Sequence, residues 1–252
     1  MRQGLLLQPL DGVPLVKAGD DLARITLTAL QETQLTLAPG DILVFAQKII
    51  SKAEGRRVDL RQVVPTPRAI ELAAIAQKDA RLVELILSES SAVVRARPGV
   101  IIVEHRSGII LANAGIDRSN VDGVDHALLL PLDPDQTARE LRAELVRVAN
   151  VDVGVLIIDS IGRAWRNGTI GTTIGASGMP TLLDLRGRPD LFGRALESTE
   201  IGWSDELAAA ASLMMGQAGE GCPIVLARGL APQTRHGTAR DLLRPKDKDL
   251  FR

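Results

Sequence analysis

Three short, continuous apolar runs constrain this chain more than any other feature: ILVFAQ from Ile42, VGVLIIDS from Val153 and PIVLARG from Pro223. Each is bounded by turn-forming or charged residues and is too short for a helix of ordinary length, so each predicts a buried strand. Between them, apolar residues recur at helical spacing. Leu22, Ile25, Ala29 and Leu30 behind Asp20 and Asp21 predict one helix, and residues 68–88 predict two, broken near Asp79. Asp133-Pro134 supplies an N-cap acid and a proline at the first helical position, ahead of a face carrying Leu141, Leu145 and Val148. Ser204-Asp205-Glu206 opens a further helix through ELAAAASLMMGQ to Gly219-Glu220-Gly221. Strands alternating with helices place the chain in the α/β class.

Gly99-VIIVE and GIILAN, separated by His105-Arg106-Ser107-Gly108, predict a hairpin whose second strand runs into Asn113-Ala114-Gly115-Ile116-Asp117. Gly168, Gly171, Gly175 and Gly178 match no phosphate-loop spacing and predict tight turns. No internal repeat or low-complexity linker divides residues 1–252, so a single two-lobed unit and two separable domains both remain open from composition, and the single unit is the expectation carried forward. By composition alone the mixed-charge tail from Ala231 onward is a frayed terminus.

Composition matters chiefly for what it excludes. Thirty Lys and Arg balance thirty-one Asp and Glu, giving a net charge of -1, and there is no global field to hold nucleic acid or an anionic membrane. Aromatic residues make up 2% of the chain, with no Tyr, so bases would find little to stack on. The apolar stretch Val153–Ile158, fenced by Asp152 and Asp159, falls far short of a membrane span, and the N-terminus meets Asp11 too soon for a signal-peptide core. One cysteine, Cys222, forms no intrachain disulfide, and His105, His126 and His236 lack zinc spacing. A cytoplasmic protein is expected.

Several residues could carry chemistry. Asp117 follows a strand through a glycine turn and Asp159 ends another strand; each either caps a local turn or faces a site. If they converge, Asp117, Asp159, Ser160 and Gln217 form a hard-oxygen set suited to Mg²⁺ or Mn²⁺ rather than zinc. Lys48 and Lys52, expected in a turn after the first buried strand, are either solvated surface charges or partners for a phosphate, together with the backbone of Met215 to Cys222. Walker-type and Rossmann-type fingerprints are both missing. Arg163 and Arg166 flank Trp165 directly after Asp159-Ser160, and such an arginine pair serves surface ion pairing or grips a carboxylate or phosphate. The three histidines have no paired nucleophile, and Cys222, at the start of an apolar strand, is expected as a small buried thiol.

Read together, QKIISKAEGR (Gln47 to Arg56), ANAGIDRSN (Ala112 to Asn120), DSIGRAWRNGTIG (Asp159 to Gly171), MGQAGEG (Met215 to Gly221) and the ending GTARDLLRP…DLFR resemble the glutamate ligases of coenzyme F420 biosynthesis. The resemblance runs in order from the GVPLVKAGDDL start to the C-terminus and is to the stand-alone form, without a fused flavin-reductase-like domain. It implies an uncommon mixed α/β fold in an intertwined homodimer. It also implies a GTP-dependent enzyme that adds L-glutamate to the lactyl carboxylate of the deazaflavin precursor, first through the α-amine and then by γ-linkage. Metals follow from it too: Mg²⁺ or Mn²⁺, two of them, with K⁺ as a further cation.

Carried over by motif, the metal residues are Asp117, Asp159, Ser160 and Gln217. The nucleotide residues are Val13, Pro14, Leu15 and Val16, then Gln47, Lys48, Lys52 and Asn120, then Met215, Gly216, Gln217, Ala218, Gly219, Glu220, Gly221 and Cys222. Lys52 and Asp159 are the expected catalytic pair. Arg163 and Arg166 are weaker candidates for a substrate anion, and the tail 231–252 is expected to pack at or near the dimer interface through Leu242, Leu243, Leu250 and Phe251. Gly219 stands where the family often has an acid, and Ser160 where threonine also occurs. Two other readings remain open from the sequence: a ligase for another pterin-like or folate-like acid, and a non-catalytic GTP-binding dimer.

Overall fold

A computed structural model describes residues 4–121, 123–231 and 236–249. The elements in chain order are β1 (Leu6–Pro9), α1 (Leu22–Glu32), β2 (Ile42–Ala46), α2 (Gln47–Ala53), β3 (Arg57–Asp59), α3 (Pro67–Ala76), α4 (Ala80–Ser88), β4 (Ser90–Arg97), β5 (Val100–His105) and β6 (Ile110–Ala112). Then come β7 (His126–Leu128), α5 (Pro134–Ala149), β8 (Gly154–Gly162), β9 (Thr169–Ser177), β10 (Leu183–Asp184), β11 (Glu200–Ile201), α6 (Trp203–Met215) and β12 (Ile224–Arg228). Among the described residues no helix is long and apolar enough to cross a membrane.

The three apolar runs sit side by side. They form the interior of a five-stranded sheet in the order β1-β12-β2-β8-β9, in which β2 and β8 are parallel and the other pairs antiparallel. Burial on both faces explains their unbroken hydrophobicity. One face carries Leu43, Phe45, Val155 and Ile157 against Leu30 of α1 and Leu141 and Leu145 of α5. The other carries Val44, Leu156 and Val225 against Leu207, Ala208 and Ala211 of α6. A separate apolar cluster joins α3 and α4 to Ile101 and Val103 of β5, within the three-stranded sheet β4-β5-β6.

Local signals explain the helix starts. Asp21, Thr66, Asp79 and Asp133 each accept a backbone N–H of the first turn of the helix they precede. Asp79 is the break expected between α3 and α4. The glycine expectation needs correction. Gly168 and Gly178 do occupy turns at positive φ, but Gly171 and Gly175 lie within β9. A Cβ on Gly171 would stand 2.2 Å from the Ala208 carbonyl oxygen, and one on Gly175 would stand 2.5 Å from Pro134 backbone. Those two glycines let α6 and α5 approach the strand from opposite faces.

The base of the sheet is held by an ion pair. Asp41, 1% exposed, takes Arg228 Nε at 2.8 Å on one oxygen and Nη2 at 2.6 Å on the other, while Ala38 N–H donates to Oδ2 at 2.7 Å. Removing one partner strands the other's charge, so Asp41→Ala is expected to lower unfolding free energy by about 3 kcal/mol. A urea titration checks this, and a loss below about 1 kcal/mol would show the pair to be dispensable.

Compositional reading of the tail as frayed is also corrected as far as Asp249. Thr238 and Asp241 form a capping box on a 3₁₀ turn over Ala239–Leu242, and the buried Asp135 carboxylate takes the N–H groups of Ala176 and Ala239, both at 2.9 Å. Leu242 lies beside Gly202 and Leu243 beside Gly108 of the same chain. Leu250 and Phe251 lie outside the described residues.

Candidate active site

β2 ends at Ala46, opposite Ile158 of the parallel strand β8, and α/β sheets hold ligands outside the carboxyl ends of such strands. A cleft of about 400 Å³ opens there. It is walled by Val13 to Val16, by the start of α2 with Gln47, Lys48 and Lys52, by Asp159 and Ser160 of β8, by Asn120, and by the loop from Met215 to Pro223. Lys48 and Lys52 are therefore on a helix, not in the expected turn: β2 passes into α2 without a linker. Asp159 does not end its strand either. It pairs with Thr172 of β9, and β8 continues to Gly162.

Gln47, 1% exposed, anchors the cleft floor. Its Nε2 donates to Asp117 Oδ2 at 3.0 Å and its Oε1 accepts from Ser51 Oγ at 2.8 Å. Lys48 Nζ lies 3.4 Å from the same Asp117 oxygen and donates to Ser119 Oγ at 3.0 Å. Asp117 stands behind the cleft lining, held in place by these contacts and by a β-bridge to Leu128. Lys52 forms no ion pair among the described residues; burial first, and Lys48 second, lower its pKa.

Asp159 takes the Ser160 N–H at 2.8 Å, and its carboxyl is pushed up to about 6, by burial first and then by the charge of Asp117. Burial likewise raises Asp117, against the pull of Lys48 and Gln47. The two acids thus converge closely enough to repel, as spacing alone could not decide. Among the described residues no cluster of three or more His, Cys, Asp and Glu gathers to hold a metal. Two carboxylates with hydroxyl and amide oxygens nearby do fit a hard cation that keeps waters and phosphate oxygens as further ligands.

Because the native Asp159 carboxyl titrates above its ordinary value of 3.8, its ionisation opposes folding as pH rises from there through about 6. A divalent cation would cancel that penalty. Mg²⁺ or Mn²⁺ is therefore expected to raise the melting temperature above pH 7, with the increment fading below about pH 6 as the cation competes with a proton. An increment independent of pH would remove Asp159 from the cation site.

The loop from Met215 to Cys222 is expected to offer backbone N–H groups to a phosphate. Within it Ala218 N–H donates to Glu220 Oε2 at 2.8 Å, and backbone N–H groups of Glu220, Ala218 and Gln217 hold that carboxyl below its usual range. Such a concave set of donors binds anions. Gly216, at φ 72°, leaves room for it, since a Cβ there would stand 2.3 Å from the Glu220 carboxyl carbon. Asn120 Nδ2 donates across the cleft to the Ala218 carbonyl at 3.1 Å. Cys222 is not the buried thiol expected: it is half-buried in the cleft wall, two residues before β12. Arg163 and Arg166 lie outside the cleft lining, on the hairpin beyond β8.

Residues 12–229 match the family described as F420-0:Gamma-glutamyl ligase. The chain is 44% identical to the Coenzyme F420:L-glutamate ligase of Methanothermobacter thermautotrophicus, with 99% of each chain covered. It has the same identity and coverage with the protein of that name from Methanopyrus kandleri, and is 41% identical to that of Methanocaldococcus jannaschii over 95% of this chain and 94% of the relative.

Proposed function

This chain belongs to the F420-0:gamma-glutamyl ligase family, and from that membership we propose that it joins L-glutamate to the lactyl carboxylate of the deazaflavin precursor of coenzyme F420, at the expense of GTP bound in the cleft. It is a ligase forming C–N bonds. The observation that carries the GTP reading is the meeting of two repelling carboxylates, two lysines and a donor-lined glycine loop at one sheet edge.

A carboxylate does not condense with an amine in water. The acceptor oxygen first attacks the γ-phosphorus, the bond to the β-phosphate oxygen breaks, and GDP leaves. The glutamate amine then attacks the acyl carbon, forms the C–N bond, loses a proton and expels inorganic phosphate. The Gly216–Gly221 N–H groups are fitted to receive phosphate oxygens in place of the Glu220 carboxylate. Lys52, partly desolvated and without an ion pair among the described residues, is placed to meet the charge that grows between the β and γ groups. Asp117, Asp159, Ser160 and Gln217 would hold divalent metal, which would neutralise phosphate charge when bound. Gln47 and Lys48 would fix the Asp117 oxygen.

We also assign the working form as a cytoplasmic homodimer. Leu191 and Phe192, 98% and 87% exposed at the tip of the hairpin that β10 and β11 begin, support it, because large apolar groups so placed ordinarily meet a partner. Incubation of the protein with GTP, Mn²⁺, L-glutamate and the unglutamylated precursor is expected to give a product heavier by one glutamate per GDP formed, and nothing when any component is withheld. Extension of a folate-type acid with no change in the deazaflavin would replace the proposed acceptor, and no extension of either would leave a nucleotide-binding dimer.

A further inference from the structure

The β8–β9 hairpin carries a feature that the cleft does not use. Ser160 and Gly171 pair across it and both line the cleft, so the residues from Ile161 to Ile170 extend the hairpin past the cleft wall. A Cβ at Gly162 or Gly168 would meet nothing within 4 Å, so the hairpin is open to solvent at both sides of its tip. At that tip Trp165 is 86% exposed and holds φ at 64°, left-handed backbone that a bulky side chain rarely adopts. Neither property favours folding: an exposed indole buries little surface, and the backbone is strained. Two positions earlier, the Arg163 Nη1 is enclosed by protein yet makes no hydrogen bond among the described residues, and one position after Trp165, Arg166 is exposed. Arg163 as a whole is only half-buried, and with Arg166 it places two guanidinium charges beside the indole, where an anion would be attracted.

We propose that Trp165 is the stacking platform for the acceptor's planar ring, with Arg163 binding the anionic linker between ring and reacting carboxylate. The inference rests on the ligase reading above. Five residues separate Ser160 from Trp165, the last of them in the turn, so the two lie at most about 16 Å apart. An acceptor whose carboxylate lies by Asp159 and whose ring lies beyond a lactyl-phospho side chain would therefore run along the hairpin. An indole offers a large rigid face at little entropic cost, and aromatic stacking is tolerant of ring chemistry, so this contact would govern acceptor affinity rather than the bond-forming steps.

Trp165→Ala is expected to raise the acceptor's KM about tenfold, with kcat and the KM for GTP within about twofold of wild type, and Trp165→Phe to restore most of the loss. An unchanged acceptor KM would overturn the proposal, as would a parallel loss in the KM for GTP. Fluorescence gives a second readout, since the chain has two tryptophans and no tyrosine. In Trp203→Phe, Trp165 is the sole emitter, and adding the deazaflavin precursor is expected to quench it; unaltered emission at saturating precursor would also overturn the assignment. A wild-type protein that extends no deazaflavin sinks the ligase reading and this inference together, whereas ligation with an unaltered acceptor KM in Trp165→Ala sinks this inference alone.

Discussion

Asp159→Asn is expected to lower turnover by about a thousandfold while leaving the protein at least as stable at neutral pH. The two effects have one cause. Burial and the neighbouring Asp117 charge make the ionised Asp159 costly, so the neutral amide removes a repulsion from the native state. The same repulsion is what a divalent cation would relieve, and an amide offers that cation one oxygen and no charge. Turnover at saturating Mn²⁺ and a urea midpoint measured without metal separate the two. Turnover within tenfold of wild type, or a clear loss of stability, would make Asp159 a structural acid.

The next largest effect is expected from Lys52. Lys52→Ala should lower kcat/KM for GTP about a hundredfold, with the metal-induced melting increment unchanged, because the ammonium lines the cleft without a carboxylate partner among the described residues. Lys48→Ala should show the opposite balance. Its ammonium braces Asp117, so the variant should weaken the cation response as well as turnover. Kinetics and melting curves on both variants test the division of labour, and matching profiles would contradict it.

Much of the scaffold was legible because the signals were local. Buried strands announce themselves as ILVFA and GVLII, and Asp79 and Asp133 as caps mark helix starts whatever the tertiary setting. The misses fall where the local signal is weak or where a distant neighbour decides. Ser90–Arg97 reads SSAVVRAR, with too little alternation to betray an exposed strand. The small residues at Gly171 and Gly175 look like turn formers until α6 and α5 are laid against them. The transition from Ala46 to Gln47 carries no cap or glycine, so nothing marked α2 as a helix.

The site was legible in a different way. Strand ends and residue chemistry offered Asp117, Asp159, Ser160 and Gln217 as a set only if they converge, with Lys48, Lys52 and the Met215–Cys222 backbone beside them, and the family resemblance added Val13 to Val16, Gln47 and Asn120. The structure brings Gln47, Lys48, Lys52, Asp159, Ser160 and the Met215–Cys222 loop to one cleft, with Asp117 held behind it through Gln47. The carboxylate in the Gly216–Gly221 nest had a faint signal, an acid flanked by glycines, which reads equally well as a turn.

Oxygen-18 in the acceptor's carboxylate tests the central claim most directly, by following which atom reaches phosphorus. The account predicts one labelled oxygen in inorganic phosphate for every amide formed, with GDP unlabelled. Label in a nucleoside monophosphate, or amide formation that leaves phosphate unlabelled, would contradict transfer of the γ-phosphoryl group to the acceptor in this cleft.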